Sequence, residues 1–198
     1  MPKPDYTAQM RQYFDEKAAN WDNICHHDTA KLHIIISLAA PALCSRLLDI
    51  GCGTGIMIKP LLAVNPRELL AVDLAPLMIE QSALKHNDTR LRLLAIDFFD
   101  LAENGFDLAM LYSVYPHFPE KEKLVQQTAK CLKNNGRFMI AHSESRHTIN
   151  KRHQDTQTAQ LSQSLKPAAE EAKMWQKSFD IDILVDTDQL YIISGLRK

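Results

Sequence analysis

The chain has 198 residues, 45% hydrophobic and 24% charged, with a formal net charge of -1. That length suits one domain with a sizeable core, and that composition is of an ordinary soluble protein. A charge near zero without a basic run weighs against nucleic acid, whose binding rests on a basic footprint.

The N-terminus has no signal-peptide core, and the first 45 residues read as an N-terminal helical cap. Met10, Tyr13, Phe14, Ala18 and Trp21 recur near helical spacing, predicting a helix over 6–20. A second helix is expected over 28–40. The apolar stretch 34–43 is too short to span a bilayer and contains Pro41, so no membrane partner is expected. Strands over 46–50, 69–73, 91–96, 106–112 and 137–143 then alternate with helices over 56–64, 76–86 and 119–133. Alternation of this kind predicts an α/β fold, a doubly wound parallel sheet with helices on both faces, here over 46–142. Residues 143–167 are polar, with Arg146, His147, Asn150, Lys151, Arg152 and His153 crowded together. They form either a solvated surface helix or one wall of a substrate pocket. The last section, 168–198, holds a final helix and two strand-like runs, 179–185 and 189–194, expected as a hairpin at the sheet edge. The scattered Cys25, Cys44, Cys52 and Cys131 lack CxxC spacing and read as reduced thiols of a cytoplasmic protein.

The first strand, Arg46-Leu47-Leu48-Asp49-Ile50, runs straight into Gly51, Gly53 and Gly55. Glycine accepts positive φ cheaply and lets a ligand lie against the backbone. The spacing is not the dinucleotide fingerprint, because the third glycine comes one residue early and Ile56 holds the last position. A phosphate-binding P-loop also fails, since no Gly-Lys pair exists in the chain. The second strand ends in Asp73, and a carboxylate there can accept from both hydroxyls of a ribose. Asp97 follows the third strand. Three acids at the carboxyl ends of successive strands line one edge of the sheet.

Leu47-Leu48-Asp49-Ile50-Gly51-Cys52-Gly53-Thr54-Gly55 resembles the first motif of class I S-adenosylmethionine-dependent methyltransferases. Ala71-Val72-Asp73-Leu74-Ala75-Pro76-Leu77-Met78-Ile79 resembles the second, and Ala95-Ile96-Asp97-Phe98-Phe99 the third. The resemblance covers about 47 to 141. It implies a Rossmann-like seven-stranded sheet with an antiparallel last strand, S-adenosylmethionine as cofactor and S-adenosylhomocysteine as product. It also implies that Asp49 and the backbone of Gly51, Cys52, Gly53 and Gly55 serve the methionine end, and Asp73 the ribose. Leu74 and Met78 would pack on adenine, with Asp97 and Phe98 at its amino edge; plain core packing is the alternative for Leu74, Met78 and Phe98. The stretch from Phe14 to Asp22 is similar to the lid of small-molecule members, where an aromatic closes over the donor. Trp21 is then the lid residue, or else a helix-end tryptophan capping the core.

The fourth strand ends in Tyr112-Ser113-Val114-Tyr115-Pro116-His117-Phe118, which in this fold faces the reactive sulfur. Tyr112 is expected beside the donor. No Asn/Asp-Pro-Pro-aromatic motif is present, which weighs against amino methyltransferases of adenine or glutamine. His117, Tyr115 and His142 are the catalytic candidates. His117 is the candidate base, because imidazole titrates nearest neutrality; a surface or capping histidine is the alternative. His27, His117, His142 and His153 are an alternative metal set, although their spacing places no two on one helix face. The function expected is methyl transfer to a small-molecule acceptor by in-line displacement. A non-catalytic protein binding the cofactor or its product, and a metal-dependent methyltransferase, stand as alternatives.

Overall fold

The computed structural model describes residues 6–154 and 157–198. Five strands run parallel: β1 (Arg46–Ile50), β2 (Glu68–Asp73), β3 (Leu91–Ala95), β4 (Phe106–Tyr112) and β5 (Leu132–His142). The C-terminal hairpin adds β6 (Phe179–Asp186) and β7 (Tyr191–Arg197), with β7 antiparallel to both of its neighbours. The order across this seven-stranded sheet is β3-β2-β1-β4-β5-β7-β6. The strand count and the antiparallel last strand are those that the resemblance implies. Between β1 and β4 the order reverses, which opens a crevice at their carboxyl ends.

The helices are α1 (Tyr6–Lys17), α2 (Trp21–Ile24), α3 (Thr29–Ala39), α4 (Ile58–Ala63), α5 (Pro76–Lys85), α6 (Lys121–Cys131), α7 (Arg146–Gln154) and α8 (Ala168–Trp175). Strand alternation sorts the core into two layers. Leu47, Leu69, Met110 and Met139 pack with Leu32 and Ile35 of α3 and Ile58 of α4. Leu48, Leu111, Phe138 and Ile140 face the other way, onto Leu124 of α6 and Trp175 of α8. Trp175 is fully buried and stacks on Phe138 with ring centroids 4.0 Å apart. Among the described residues no helix is long and apolar enough to cross a membrane.

Local chemistry explains the helix ends. Asp28 caps α3 by accepting from the backbone N–H of Ala30 and Lys31, and Pro76 opens α5 where a missing N–H costs nothing. Several boundaries differ from expectation, and two of them have a visible local cause. The helix after the glycine loop begins at Ile58, because Gly55 and Ile58 close tight turns on Cys52 and Gly55. Strand β5 begins at Leu132, directly from α6, and its pairing with β4 shifts register between Phe106 and Leu108. The polar segment after β5 folds as α7 followed by a short turn, Gln157–Gln160.

Candidate active site

The glycine loop wraps the end of β1 at the switch point. Gly51 and Cys52 both donate to the Val72 carbonyl, at 2.8 and 3.0 Å, tying the loop to β2. Gly51, Gly53 and Gly55 all have positive φ, at +68°, +54° and +95°. Their surroundings differ. A Cβ on Gly51 would stand 2.3 Å from Val114, and one on Gly55 would stand 2.7 Å from Ser82 and His86. Those two glycines let neighbouring chain come close. Only Gly53 is open, with the Trp21 indole nitrogen 3.8 Å away.

Asp73 is held by the loop it faces. One carboxylate oxygen accepts from Gly53 N at 2.8 Å and the other from Ala75 N at 2.9 Å. Burial pushes its pKa up to about 6 against the pull of those N–H groups. Asp49 is buried in β1 and its Oδ2 has no partner. Burial, and then the Asp73 charge, push its pKa up to about 7. Two acids at the ends of adjacent strands, one with an orphaned oxygen, make a site that favours a cation. Beside them Met78 is buried with Ala18 and Ala75, and Phe14 and Trp21 pack on that group; Leu74 is half-buried. Asp97 accepts from Phe99 N at 2.9 Å and caps the turn after β3. The Phe98 ring lies in the core near Phe118, the placement that the packing alternative describes.

The cap is fastened to this crevice. Asp22 accepts from Thr54 Oγ1 at 2.5 Å and pairs with Lys85 of α5. Asp15 of α1 accepts from Leu77 N at 2.8 Å. Phe14 and Trp21 meet edge to face at 5.5 Å, with Trp21 over the loop.

On the far side of the crevice strand parity separates the histidines. Tyr112 faces the α3 layer, where its hydroxyl meets His27 Nδ1 at 2.8 Å and Ser143 Oγ at 2.7 Å. His142, two residues on from Ile140 in β5, lies on the opposite face with His117 and His153. The alternative metal set is therefore not assembled: His27 is tied to Tyr112, His117 Nδ1 faces the Leu161 carbonyl at 3.1 Å, and among the described residues no three His, Cys, Asp or Glu side chains are arranged to hold a metal. Tyr115 turns inward. It is fully buried, and its hydroxyl donates to Glu171 at 2.9 Å, so its place is in the core and not against an acceptor. Burial lowers the pKa of His117 to about 4 and of His142 to about 3, with neighbouring histidines adding to both shifts.

Residues 48–140 match the model of a methyltransferase domain. That stretch is just under half of the chain, and over it the chain is similar to methyltransferases. Malonyl-[acyl-carrier protein] O-methyltransferase of Acetivibrio thermocellus is 27% identical to this chain over 131 residues, 64% of this chain and 46% of that protein. Aklanonic acid methyltransferase DauC of a Streptomyces species is 27% identical over 147 residues, 70% of this chain and 66% of that one. The chain spans about half the length of the first of these relatives. Among solved structures, the N-methyltransferase NodS of Bradyrhizobium japonicum, in complex with S-adenosyl-L-homocysteine, superposes with a TM-score of 0.72 at 16% identity. That likeness of fold covers 98% of this chain and 99% of the other.

Sequence reasoning missed several residues of this candidate site. Asp22, Thr54 and Lys85 fasten the cap, but Asp22 lies 32 and 63 residues from its partners and no local pattern joins them. Ser143 joins Tyr112, and Ser162 joins His117 at 3.2 Å, across similar gaps. Lys121 is buried in the first turn of α6, where an exposed charge is the ordinary reading. The one signal available was its position four residues after the candidate base.

Proposed function

We propose that this chain transfers a methyl group from S-adenosylmethionine to a small-molecule acceptor by in-line displacement. The observation that carries the reading is the crevice between β1 and β4, where Asp73 is gripped by Gly53 N and Ala75 N beside the orphaned Asp49 oxygen. When bound, the donor supplies a methyl group already activated by its sulfonium charge. The chain's own residues bind, orient and dry it. Asp49 and the backbone of Gly51, Cys52, Gly53 and Gly55 hold the amino-acid end, because two mutually repelling acids favour a cation between them. Asp73 keeps lone pairs for the ribose hydroxyls while its backbone bonds fix its angle. Leu74 and Met78 offer adenine an apolar wall, and Asp97 and the backbone of Phe98 lie at its edge. Trp21 and Phe14 cover the loop, which excludes water and strengthens the electrostatics beneath. Tyr112, held by His27 and Ser143, stands at the end of β4 to line the approach of the acceptor.

His117 is a weak base in this setting. The Leu161 carbonyl can only accept, so Nδ1 carries the proton and Nε2 keeps the lone pair. With a pKa of about 4 that lone pair takes a proton poorly at neutral pH, so an acceptor that arrives already ionised is favoured. Calorimetry with S-adenosylhomocysteine, followed by labelled methyl transfer across a mixed panel of small acceptors, tests the reading. Binding of the product and turnover of at least one acceptor are expected. Asp73→Ala is expected to weaken product binding about 10–100-fold, the range for a hydrogen bond to a charged group. Wild-type protein that ignores the product would sink the proposal.

A further inference from the structure

Three imidazoles from three elements gather on one side of the crevice. His117 comes from the turn Tyr115–His117, His142 from the end of β5 and His153 from α7. The His117 and His153 rings are 5.2 Å apart, and both weigh electrostatically on His142. His142 is only 3% exposed and its Nε2 has no partner; Nδ1 of His153 is buried and also has none. Leaving a buried ring nitrogen unpaired is costly, and two in one cluster point to a group that completes them. The cluster adjoins the donor crevice, since Phe14 packs on His117 at 5.2 Å and on Trp21 at 5.5 Å.

Two cations and two acids stand around it. Lys121 is buried, donates to the Tyr115 carbonyl and sits over that ring. Burial lowers its pKa to about 7. Glu171 of α8 is the acid that bears on Lys121, and its two oxygens are already taken by Tyr115 Oη and Lys166 N. Arg152 of α7 bears on His142 and His153 but is matched by Glu144.

We propose that this histidine pocket seats a carboxylate carried by the acceptor, an inference that rests on the methyltransferase reading for the word acceptor. One carboxylate oxygen accepts from His142 Nε2–H and the other from His153 Nδ1–H, with the Lys121 ammonium behind them. No bond is made or broken in this recognition step. Cationic acceptors are rejected, because neutral imidazoles beside a buried lysine resist further positive charge. The bound anion raises the Lys121 pKa above its free value of about 7, so binding takes up protons. Affinity therefore falls as pH rises above about 7, until the higher bound-state pKa is passed.

The test is calorimetry on the full chain saturated with S-adenosylhomocysteine. Benzoate and malonate are each titrated against benzamide and malonamide, at about pH 6.5 and about pH 8.5, in two buffers of different ionisation enthalpy. One acid or both should bind about 10-fold or more tighter than the matching amide, with net proton uptake and weaker binding at the higher pH. His142→Asn and His153→Gln should each weaken acid binding about 10-fold while product affinity holds; His153 is half-exposed, so its variant does not threaten the core. Acid and amide binding alike, neither acid binding, or both variants binding acid normally would overturn the proposal. Failure of S-adenosylhomocysteine to bind would sink the methyltransferase reading instead, since the same pairs can be titrated against the free protein.

Discussion

At the scale of single residues, the glycines and the two acids do different work from what their spacing suggests. Three glycines in alternation read as one ligand-bearing loop, yet Gly51 and Gly55 are filled by Val114, Ser82 and His86, and only Gly53 faces open space. Gly51→Ala and Gly55→Ala should therefore lower Tm sharply. Gly53→Ala should cost about 1–2 kcal/mol for its left-handed φ and chiefly weaken binding of the demethylated donor. Thermal melts and calorimetry on the three variants check the split. Asp49 makes a second prediction. Its folded pKa, about 7, lies above the ordinary carboxylate value, so folding takes up a proton between the two. Stability of the free protein then falls as pH rises from about 4 through about 7. Asp49→Asn should raise Tm at pH 8, by about 2–4 °C for each kcal/mol recovered, and change little below pH 4. A variant that melts lower than wild type at pH 8 would contradict that sign.

At the scale of elements, the N-terminal cap is the part held over the glycine loop by side chains far apart in the chain. It is pinned at its α2 end by Asp22 on Thr54 and Lys85, and along α1 by Asp15 on Leu77 N. The Lys85 pair is largely exposed and contributes little, so the Thr54 bond carries most of the fastening. Asp22→Ala should loosen the cap, with about 3–10-fold faster release of S-adenosylhomocysteine, the effect of one hydrogen bond. Hydrogen exchange over 6–24 should rise with it, while exchange in β1 and β4 stays unchanged. The helical periodicity of this segment is plain in the sequence, and so are the aromatics Phe14 and Trp21 that it carries. Its anchor points are not, because they belong to pairs far apart in the chain.

At the scale of the whole molecule, the sheet sets which chemistry meets which. β7 slots between β5 and β6, and Gly195 allows it, since a Cβ there would stand 2.6 Å from the Asp180 carbonyl. Trp175 closes the layer beneath against Phe138 and Phe179. Trp175→Ala should cost about 3–5 kcal/mol, read by chemical denaturation, and should do so without touching the crevice. The same sheet parts the histidines. Tyr112 and His142 end neighbouring strands yet point to opposite faces, so His27 joins the one and His117 and His153 the other.

The amino-acid sequence alone determined the strand and helix alternation, the switch-point loop and the acids near the carboxyl ends of β1, β2 and β3. Each of these is written in a short run of residues: an apolar strand, a terminal carboxylate, a glycine with no Cβ. Tertiary structure alone decided that Tyr115 belongs to the core, that four histidines divide across a sheet, and that two of their nitrogens are buried without a partner. Those outcomes depend on the parity with which strands end and on which distant chain fills the space beside them. No local pattern carries that information, because it exists only once the layers have packed.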